Sequence, residues 1–451
     1  MKVFISIILG LGLSAAGVLR AETPVTSGGL DAAAALLLQH HRAAATGPAM
    51  TLDEAERIAL AVNPEIEVAA RRVAIAEAHV PVAGSLDDPM AMYRGWGVPL
   101  QKPWDFNAAQ NMFSISETLP GRGKRDLRTS VAESDVDVAK AELEEVRLDV
   151  RVRVHKAFDD MVRANEELTI HDGHVRVARQ AIEAARIKYT VGKVSQQDIL
   201  KAQVALTGLA EHMIRFDHDV DLARARLNTL LGRDPSAPLE VTGEFAAMTV
   251  LPEAQKLDDL ALHARPDLLA AERAAERSHK EQALAKRAYT PDFTVSAGYM
   301  LQQPGTAMRN AYMVEGSMNL PWLNRRKHDA EIAEATAQVT EQDAELTAMR
   351  HAAFGQIEEA LVEAQEAQKL AQMYHDQLRP QAEATLESSV IAYENDKTDF
   401  LDLLDSQMKV IDIDLSWAAA VGDFDSRLAD LEMAAGVPLE QNEPAATEVK
   451  P

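Results

Sequence analysis

The sequence of 451 residues contains no cysteine. This absence excludes disulfide bonds, thiolate metal sites, cysteine nucleophiles and a lipid-modified N-terminal cysteine. Aromatic residues are also scarce, at 5% of the chain, although 47% of the residues are hydrophobic. Much of the hydrophobic fraction is alanine, which favours helices and allows them to approach closely. We therefore expect long, closely packed helices.

Positive charge is in short supply, with 46 Lys and Arg against 70 Asp and Glu and a net charge of −24. A nucleic-acid binder needs clustered positive charge, so nucleic acid is not an expected partner. The sequence also contains no phosphate-binding loop, nucleophile elbow or His-Glu-x-x-His motif, and we expect neither an enzyme nor a bound cofactor. His171 and His174 share a helix face, but no carboxylate stands at ligand spacing, so we interpret them as surface histidines.

Beyond the N-terminus the sequence has no long hydrophobic run. No later stretch approaches about 18 consecutive apolar residues, so no transmembrane helix is predicted. A basic start, an apolar run over residues 3–13 and a cleavable Leu19-Arg20-Ala21 give residues 1–21 the layout of a signal peptide. A retained membrane anchor is the alternative, although the run is short for a span. Composition predicts that segments 22–50 and 439–451 are flexible.

Two halves of the chain resemble each other at an offset of a little over 200 residues. Asn63-Pro64 matches Arg265-Pro266 at an offset of 202, and Tyr189 matches Tyr393 at an offset of 204. Such ordered self-similarity predicts an internal two-fold repeat. The chain then divides into a first repeat at 51–232, a linker at 233–252 and a second repeat at 253–438.

Each half contains the same predicted parts. The first half opens with a short helix, for which Thr51 is the N-cap and Glu54 completes a capping box, and a second helix begins at Pro64. A β-hairpin follows in each half, at 88–119 and at 291–321, and its strands alternate apolar and polar residues with period two.

Proline is nearly absent after each hairpin. Residues 121–234 contain none, and Pro380 is the only one in residues 322–437. This composition predicts long helices, each broken once, near Gly192 in the first half and near Asn395 in the second. Up to its break near Gly192, the first of these helices would be on the order of 100 Å long, and a compact globule does not require such a long helix.

In an isolated four-stranded sheet the two edge strands leave backbone N–H and C=O groups without hydrogen-bond partners, which is costly inside a membrane. Three copies of the chain would supply the strands of a closed twelve-stranded β-barrel, with four strands per chain. The same symmetry would arrange the long helical hairpins as a trimeric α-barrel. The predicted fold is thus mainly α with a small β part. The alternative is two small soluble sheets that cap a helical scaffold.

Several segments resemble the TolC-type outer membrane efflux family, over roughly residues 51–438. They are residues 51–60 with Asn63-Pro64, residues 119–125, residues 188–192, Gly232 and Gly436. The resemblance implies a homotrimeric passive exit duct in outer-membrane lipid, with its helical part in the periplasm. It also implies a periplasmic adaptor and an inner-membrane pump, often of the resistance-nodulation-division type, as partners. A soluble periplasmic coiled-coil scaffold or adaptor is the alternative function.

The resemblance also implies two kinds of site. The turns between the long helices correspond to adaptor-docking tips, which comprise Tyr189, Val191, Gly192, Lys193, Tyr393, Asn395, Asp396 and Lys397. The alternative is an ordinary turn with Gly192 and Asn395 as left-handed caps. Asp402 and Asp405 match the family's paired aspartates that constrict the tunnel, and Asp198 is their first-half counterpart.

Asp402 and Asp405 are three residues apart and would share a helix face, so threefold symmetry would turn them into carboxylate rings that attract cations. A solvated acidic face is the alternative. One feature of the family is not matched: Thr398 stands where a basic residue would lock the closed tip, with Lys397 beside it.

Methionine is concentrated in the two hairpin regions, which hold seven of the 16 in the chain: Met90, Met92, Met112, Met300, Met308, Met313 and Met318. Thioethers suit Cu(I) and Ag(I). Residues 87–92 and 121–125 also resemble the heavy-metal branch of the family, which favours metal cations over drugs as cargo. We nevertheless favour the interpretation that these side chains face lipid or fill gaps.

Overall fold

The computed structural model describes residues 49–98, 100–106, 109–192, 195–243, 250–301, 310–395 and 397–439. This part of the chain is mainly helical and contains one four-stranded sheet and one short strand pair. The predicted signal peptide at 1–21 and all but the first residue of the predicted tail at 439–451 lie outside the described residues.

The first half consists, in order, of β1 (Ala49–Met50), α1 (Leu52–Val62), α2 (Pro64–Gly84), β2 (Met90–Trp96), β3 (Gln110–Leu119), α3 (Lys124–Thr190), α4 (Gln196–Leu230) and β4 (Glu240–Val241). The second half consists of α5 (Ala254–Ala264), α6 (Pro266–Lys286), β5 (Phe293–Leu301), β6 (Ala311–Met318), α7 (Arg325–Met373), α8 (Arg379–Glu394) and α9 (Phe400–Ala435). The two halves therefore share the order of two shorter helices, a strand pair and long helices.

Local sequence explains where the helices begin and end. Thr51 caps α1, and the predicted capping box with Glu54 is present. Asn63 caps α2, whose first residue is Pro64. At the other end of its helix Gly436 has a φ of +78°, a conformation that favours glycine because it has no Cβ.

The long helices dominate the molecule. α3 contains 67 residues, so it extends about 100 Å from the sheet to the first turn. In the second half the same distance is covered by α7 and α8, joined by a π-helical segment at Tyr374–Leu378 just before Pro380. Proline lacks an N–H and its ring crowds the preceding turn, and the widened π turn accommodates both effects.

Strands β2, β3, β5 and β6 form one antiparallel sheet in that order. The predicted hairpins therefore join edge to edge through β3 and β5 instead of forming two separate sheets. The register pairs Phe113 with Tyr299 and Tyr299 with Tyr312, which fixes one apolar face across all four strands.

The parallel pairing of β1 with β4 was not predicted. Residues 22–50 were expected to be flexible, but Ala49–Met50 forms a strand against Glu240–Val241, inside the predicted linker. Met50 and Leu239 are buried in a cluster with Phe158 of α3 and Leu227 of α4. The rest of segment 22–50 lies outside the described residues.

The helices pack in layers around α3, which contacts α2, α4, α6 and α9. The second half has a matching cluster in which Leu257, Ile357 and Leu431 join α5, α7 and α9. Among the described residues, no helix is both long and apolar enough to cross a membrane.

Candidate functional site

The first predicted tip lies at the far end of α3 from the sheet. Tyr189 and Val191 are exposed there. Gly192 has a φ of +74° and its backbone N–H donates to the Tyr189 carbonyl at 2.9 Å. The left-handed cap expected at Gly192 is therefore present, on a turn that also displays apolar side chains. Lys193 lies outside the described residues.

The second predicted tip is built differently. Asn395 has a φ of −90° and a ψ of 14°, so the prediction of a left-handed cap at this residue is wrong. Its side-chain amide donates to the Ile391 carbonyl at 2.8 Å and caps the helix end directly, which removes the need for a left-handed residue. Lys397 is exposed, and Asp396 lies outside the described residues.

Tyr393 is not a surface residue of the tip. Its side chain is 7% exposed and meets the ring of Phe400 edge-on, with 5.8 Å between ring centroids. The Lys188 Nζ lies 3.6 Å from the centroid of the Tyr393 ring and donates to the Tyr393 carbonyl at 2.8 Å. Because Lys188 lies in the last turn of α3 and Tyr393 in the last turn of α8, this contact connects the two tips within one chain.

A buried cluster surrounds that contact. Ile182, Ala185 and Ala202 of the first half pack against Tyr393 and Phe400 of the second. The two hairpin ends are therefore one structural unit, held by apolar burial as well as by the Lys188 contact.

Asp402 and Asp405 lie in the first turns of α9, and both are exposed. The Asp402 carboxylate accepts a hydrogen bond from the Thr398 hydroxyl at 2.5 Å. The carboxylate of Asp399 accepts from the Asp402 backbone N–H at 2.9 Å and so caps α9. The structure thus places the predicted carboxylate pair beside the second tip.

Asp198 has a different local role. Its carboxylate accepts from the backbone N–H of Ser195 at 3.0 Å and from the Ser195 hydroxyl at 2.8 Å. The two residues form a capping box at the start of α4. The first-half counterpart therefore stabilises a helix end, while the charge of Asp402 and Asp405 remains directed to solvent.

The sheet exposes an apolar face, which we define by Tyr93, Phe113, Ile115, Phe293, Val295, Tyr312 and Val314. Tyr312 is 88% exposed and Val314 is 81% exposed. Large apolar side chains on one side of a sheet normally mark a surface that another apolar phase covers. In the part of the chain that the structure describes, β2 and β6 also have a neighbour on one side only.

A buried charged cluster was missed by sequence reasoning. His155 of α3 lies 3.4 Å from Glu432 of α9 and 3.6 Å from Asp159. Burial lowers the pKa of His155, but the hydrogen bond to Glu432 and the nearby carboxylates of Asp159 and Glu56 outweigh it and raise this pKa to about 9. Burial raises the pKa of Asp159 to about 6.

The interpretation of His171 and His174 as surface residues is wrong. His171 is fully buried, and one ring nitrogen lies 2.6 Å from the Leu209 carbonyl. Burial lowers its pKa. His174 lies 3.1 Å from the Asp414 carboxylate of α9, which Arg379 of α8 also contacts at 3.1 Å. The two histidines therefore belong to contacts between helices.

Within the described ranges, no group of three or more His, Asp or Glu side chains is arranged to hold a metal ion. The predicted tips, the carboxylate pair and the apolar sheet face are the features of the described residues that bear on function.

The fold is shared with solved outer-membrane channels. The outer membrane protein VceC of Vibrio cholerae superposes with a TM-score of 0.71 at 19% identity, over 86% of this chain and 96% of that one. CusC superposes with a TM-score of 0.73 at 15% identity, over 86% of this chain and 92% of that one. The molecule is therefore a protein with the fold of outer-membrane efflux channels.

The family model described as outer membrane efflux protein matches residues 57–233 and 257–437, and the chain belongs to this family. A sequence relative is the cobalt-zinc-cadmium resistance protein CzcC of Cupriavidus metallidurans. It is 25% identical over 300 residues, which are 66% of this chain and 71% of CzcC. These similarities confirm the prediction of an outer-membrane efflux protein over that of a soluble adaptor.

Proposed function

We propose that three copies of this chain form a continuous passive duct through the outer membrane and the periplasm. The observation that carries the proposal is the four-stranded sheet, which has an exposed apolar face and two free lateral edges among the described residues. Such edges are costly inside a membrane unless they close on one another.

Strand direction supports closure. Each neighbouring pair in the sheet is antiparallel, so β2 and β6 run in opposite directions. Strand β6 of one copy can therefore pair with β2 of the next copy in the same antiparallel manner. Three copies then form a twelve-stranded barrel whose apolar face contacts outer-membrane lipid, within the range of known barrels.

Helix length supports the periplasmic part. Only four residues separate the end of β3 from the start of α3, which extends about 100 Å away from the sheet. Three copies place the helical hairpins side by side as an α-barrel, in which each exposed stripe of one chain contacts its neighbour. The tips then lie at the end of the duct that is farthest from the membrane.

The tips suit two roles. Exposed Tyr189 and Val191 offer apolar contact area for a periplasmic adaptor, with Gly192, Asn395 and Lys397 on the same turns. Tyr393 supports the tip from inside. Beside it, Asp402 and Asp405 form carboxylate rings in the trimer and constrict the entrance, while Asp198 acts through its helix cap.

The cargo is a metal cation or a small toxic compound, delivered by an inner-membrane pump of the resistance-nodulation-division type. The similarity to CzcC supports a metal cargo, and the net charge of −24 favours cations over anions. Residues 1–21 act as a signal peptide for export. The duct itself performs no chemistry.

Two measurements test the duct. Detergent-extracted, unheated protein from outer membranes should have about three times the mass of the processed chain, and it should conduct ions in planar bilayers. A soluble periplasmic monomer that does not conduct would contradict the proposal.

The carboxylate rings have a separate test. Replacing both Asp402 and Asp405 by Asn should reduce cation selectivity, measured as the reversal potential in a salt gradient. The control replaces both Asp412 and Asp423 by Asn, which removes the same number of charges from exposed positions on α9 farther from the tip. Equal reversal potentials in the double variant and the control would contradict the assignment.

A further inference from the structure

Five of the hairpin methionines lie on the sheet face opposite the apolar one. Paired residues of neighbouring strands lie on the same face, and so do residues two apart on a strand. One row across the four strands consists of Arg94, Met112, Met300 and Ala311. The next row of that face consists of Met92, Ser114, Gly298 and Met313.

In the proposed duct the apolar face contacts lipid, so most of these methionines do not, and only the gap-filling part of the interpretation still applies to them. Met318 alone among the described ones pairs with Phe293 on the apolar face. Met90 lies on the sheet face opposite the apolar one, which we call the methionine face, and pairs there with Ser116. Met308 lies outside the described residues. The remaining side chains of the methionine face are mostly small or polar, so lipid contact does not explain the arrangement.

The register places two thioethers opposite each other and one more on either side of them. Met112 and Met300 are directly paired, with about 5 Å expected between their Cβ atoms, so their unbranched side chains can reach a shared ion. Met92 is diagonal to Met112, and Met313 is diagonal to Met300, at about 7–8 Å. Met92 and Met313 lie on the two edge strands, three strand spacings or about 14 Å apart, so they flank the central pair and cannot both bind the same ion.

Small residues line the face beside Met112 and Met300. Ser114 and Gly298 separate Met92 from Met313, and both are small. A Cβ at Gly298 would stand 3.0 Å from the Ser114 Cβ, so this position does not accept a side chain without movement. Met112 is only 1% exposed, which shelters its sulfur from bulk water.

Thioether sulfur is a soft, neutral ligand that suits Cu(I) and Ag(I) and does not need to lose a proton. One local feature opposes tight binding, because the Arg94 guanidinium donates to the Met92 sulfur at 3.3 Å. Because Arg94 is also the cross-strand partner of Met112, its positive charge repels a cation held there. A site of this kind binds weakly, as a duct requires if cargo is to leave again.

We propose that Met112 and Met300 form a thioether site for soft monovalent cations, with Met92 and Met313 flanking it on the neighbouring strands. The ligand class is Cu(I) or Ag(I). Its place on the inner wall of the pore rests on the proposed trimeric duct, because only a closed barrel turns this face towards the lumen. The ligand set itself belongs to a single chain.

Binding of Ag(I) to the purified full-length protein tests the site. Titration calorimetry in a nitrate buffer should show one Ag(I) per chain. Replacing both Met112 and Met300 by Leu keeps their volume and removes the sulfur, and we expect the affinity to fall at least tenfold. Met318→Leu is the matched control on the apolar face and should bind as the wild type does.

One further variant and one further titration make the binding test more specific. Arg94→Gln should raise the Ag(I) affinity, because it removes the charge next to Met92. Titration with Zn(II) should be unchanged by the double substitution, since zinc prefers other ligands. No Ag(I) binding by the wild type, or equal affinity in the double variant, would overturn the thioether site.

The result of the Ag(I) binding test can be distinguished from the result of the conductance test of the duct. A conducting trimer that does not bind Ag(I) overturns the thioether site alone. A non-conducting monomer that binds Ag(I) through Met112 and Met300 overturns the duct alone and supports the ligand set.

Discussion

The contact between Lys188 and Tyr393 connects the two helical tips, so Lys188→Met should loosen the tip end of the proposed duct. The ammonium lies 3.6 Å from the ring centroid and donates to the Tyr393 carbonyl at 2.8 Å. A cation–π contact at a half-buried site contributes about 1 kcal/mol. A hydrogen bond from a charged donor contributes about 1.5 kcal/mol.

Methionine retains part of the apolar packing, so the expected loss is about 2 kcal/mol per chain. That energy changes the ratio of separated to packed tips about thirtyfold. Single-channel conductance in planar bilayers should therefore rise in Lys188→Met. The control is Arg186→Met, which removes a charge from the same helix where Arg186 pairs with Glu183 at the surface. Wild-type conductance in both variants would refute the role of the contact.

Two further predictions concern stability. Gly436→Ala should lower the melting temperature in detergent more than Gly192→Ala does. Both residues have a positive φ, so both substitutions strain the backbone. Only the Cβ added at 436 would also clash with backbone atoms, because it would lie 2.6 Å from the Arg265 Cα. We expect a loss of about 1 kcal/mol at 192 and about 1–3 kcal/mol more at 436, and equal losses would refute the packing argument. The raised pKa of His155 predicts a stabilisation that is complete below about pH 6.5 and is lost as the pH rises towards about 9. His155→Gln should flatten this fall in melting temperature, and an unchanged slope would contradict it.

Local signals were sufficient to predict much of the fold. The capping box of Thr51 and Glu54 is present, β5 (Phe293–Leu301) lies in the predicted hairpin at 291–321, and α3 ends two residues before Gly192, near the predicted break. Each of these features depends on residues close together in the sequence, such as a cap, a period of two or a glycine at a helix end.

Features that depend on distant residues were missed. The two-residue strands β1 and β4 are too short to show any periodicity. Glu432 lies 277 positions after His155 in the sequence, and only the packing of α9 on α3 brings them together. The face of the sheet that carries Met112 and Met300 also became clear only from the register of β3 with β5, because methionine occurs on both faces.

Disulfide trapping between chains tests whether β6 of one copy pairs with β2 of the next. The protein has no cysteine of its own, so only introduced cysteines can form a bridge. Ala91→Cys on β2 is combined in turn with Tyr312→Cys, Val314→Cys or Gly316→Cys on β6, all on the apolar side of the sheet. We expect at least one combination to form a covalent trimer in outer membranes. The control combines Ala91→Cys with Val295→Cys on the inner strand β5 and should stay monomeric. Monomers in all three combinations, or trimers in the control as well, would contradict a barrel closed by β2 and β6.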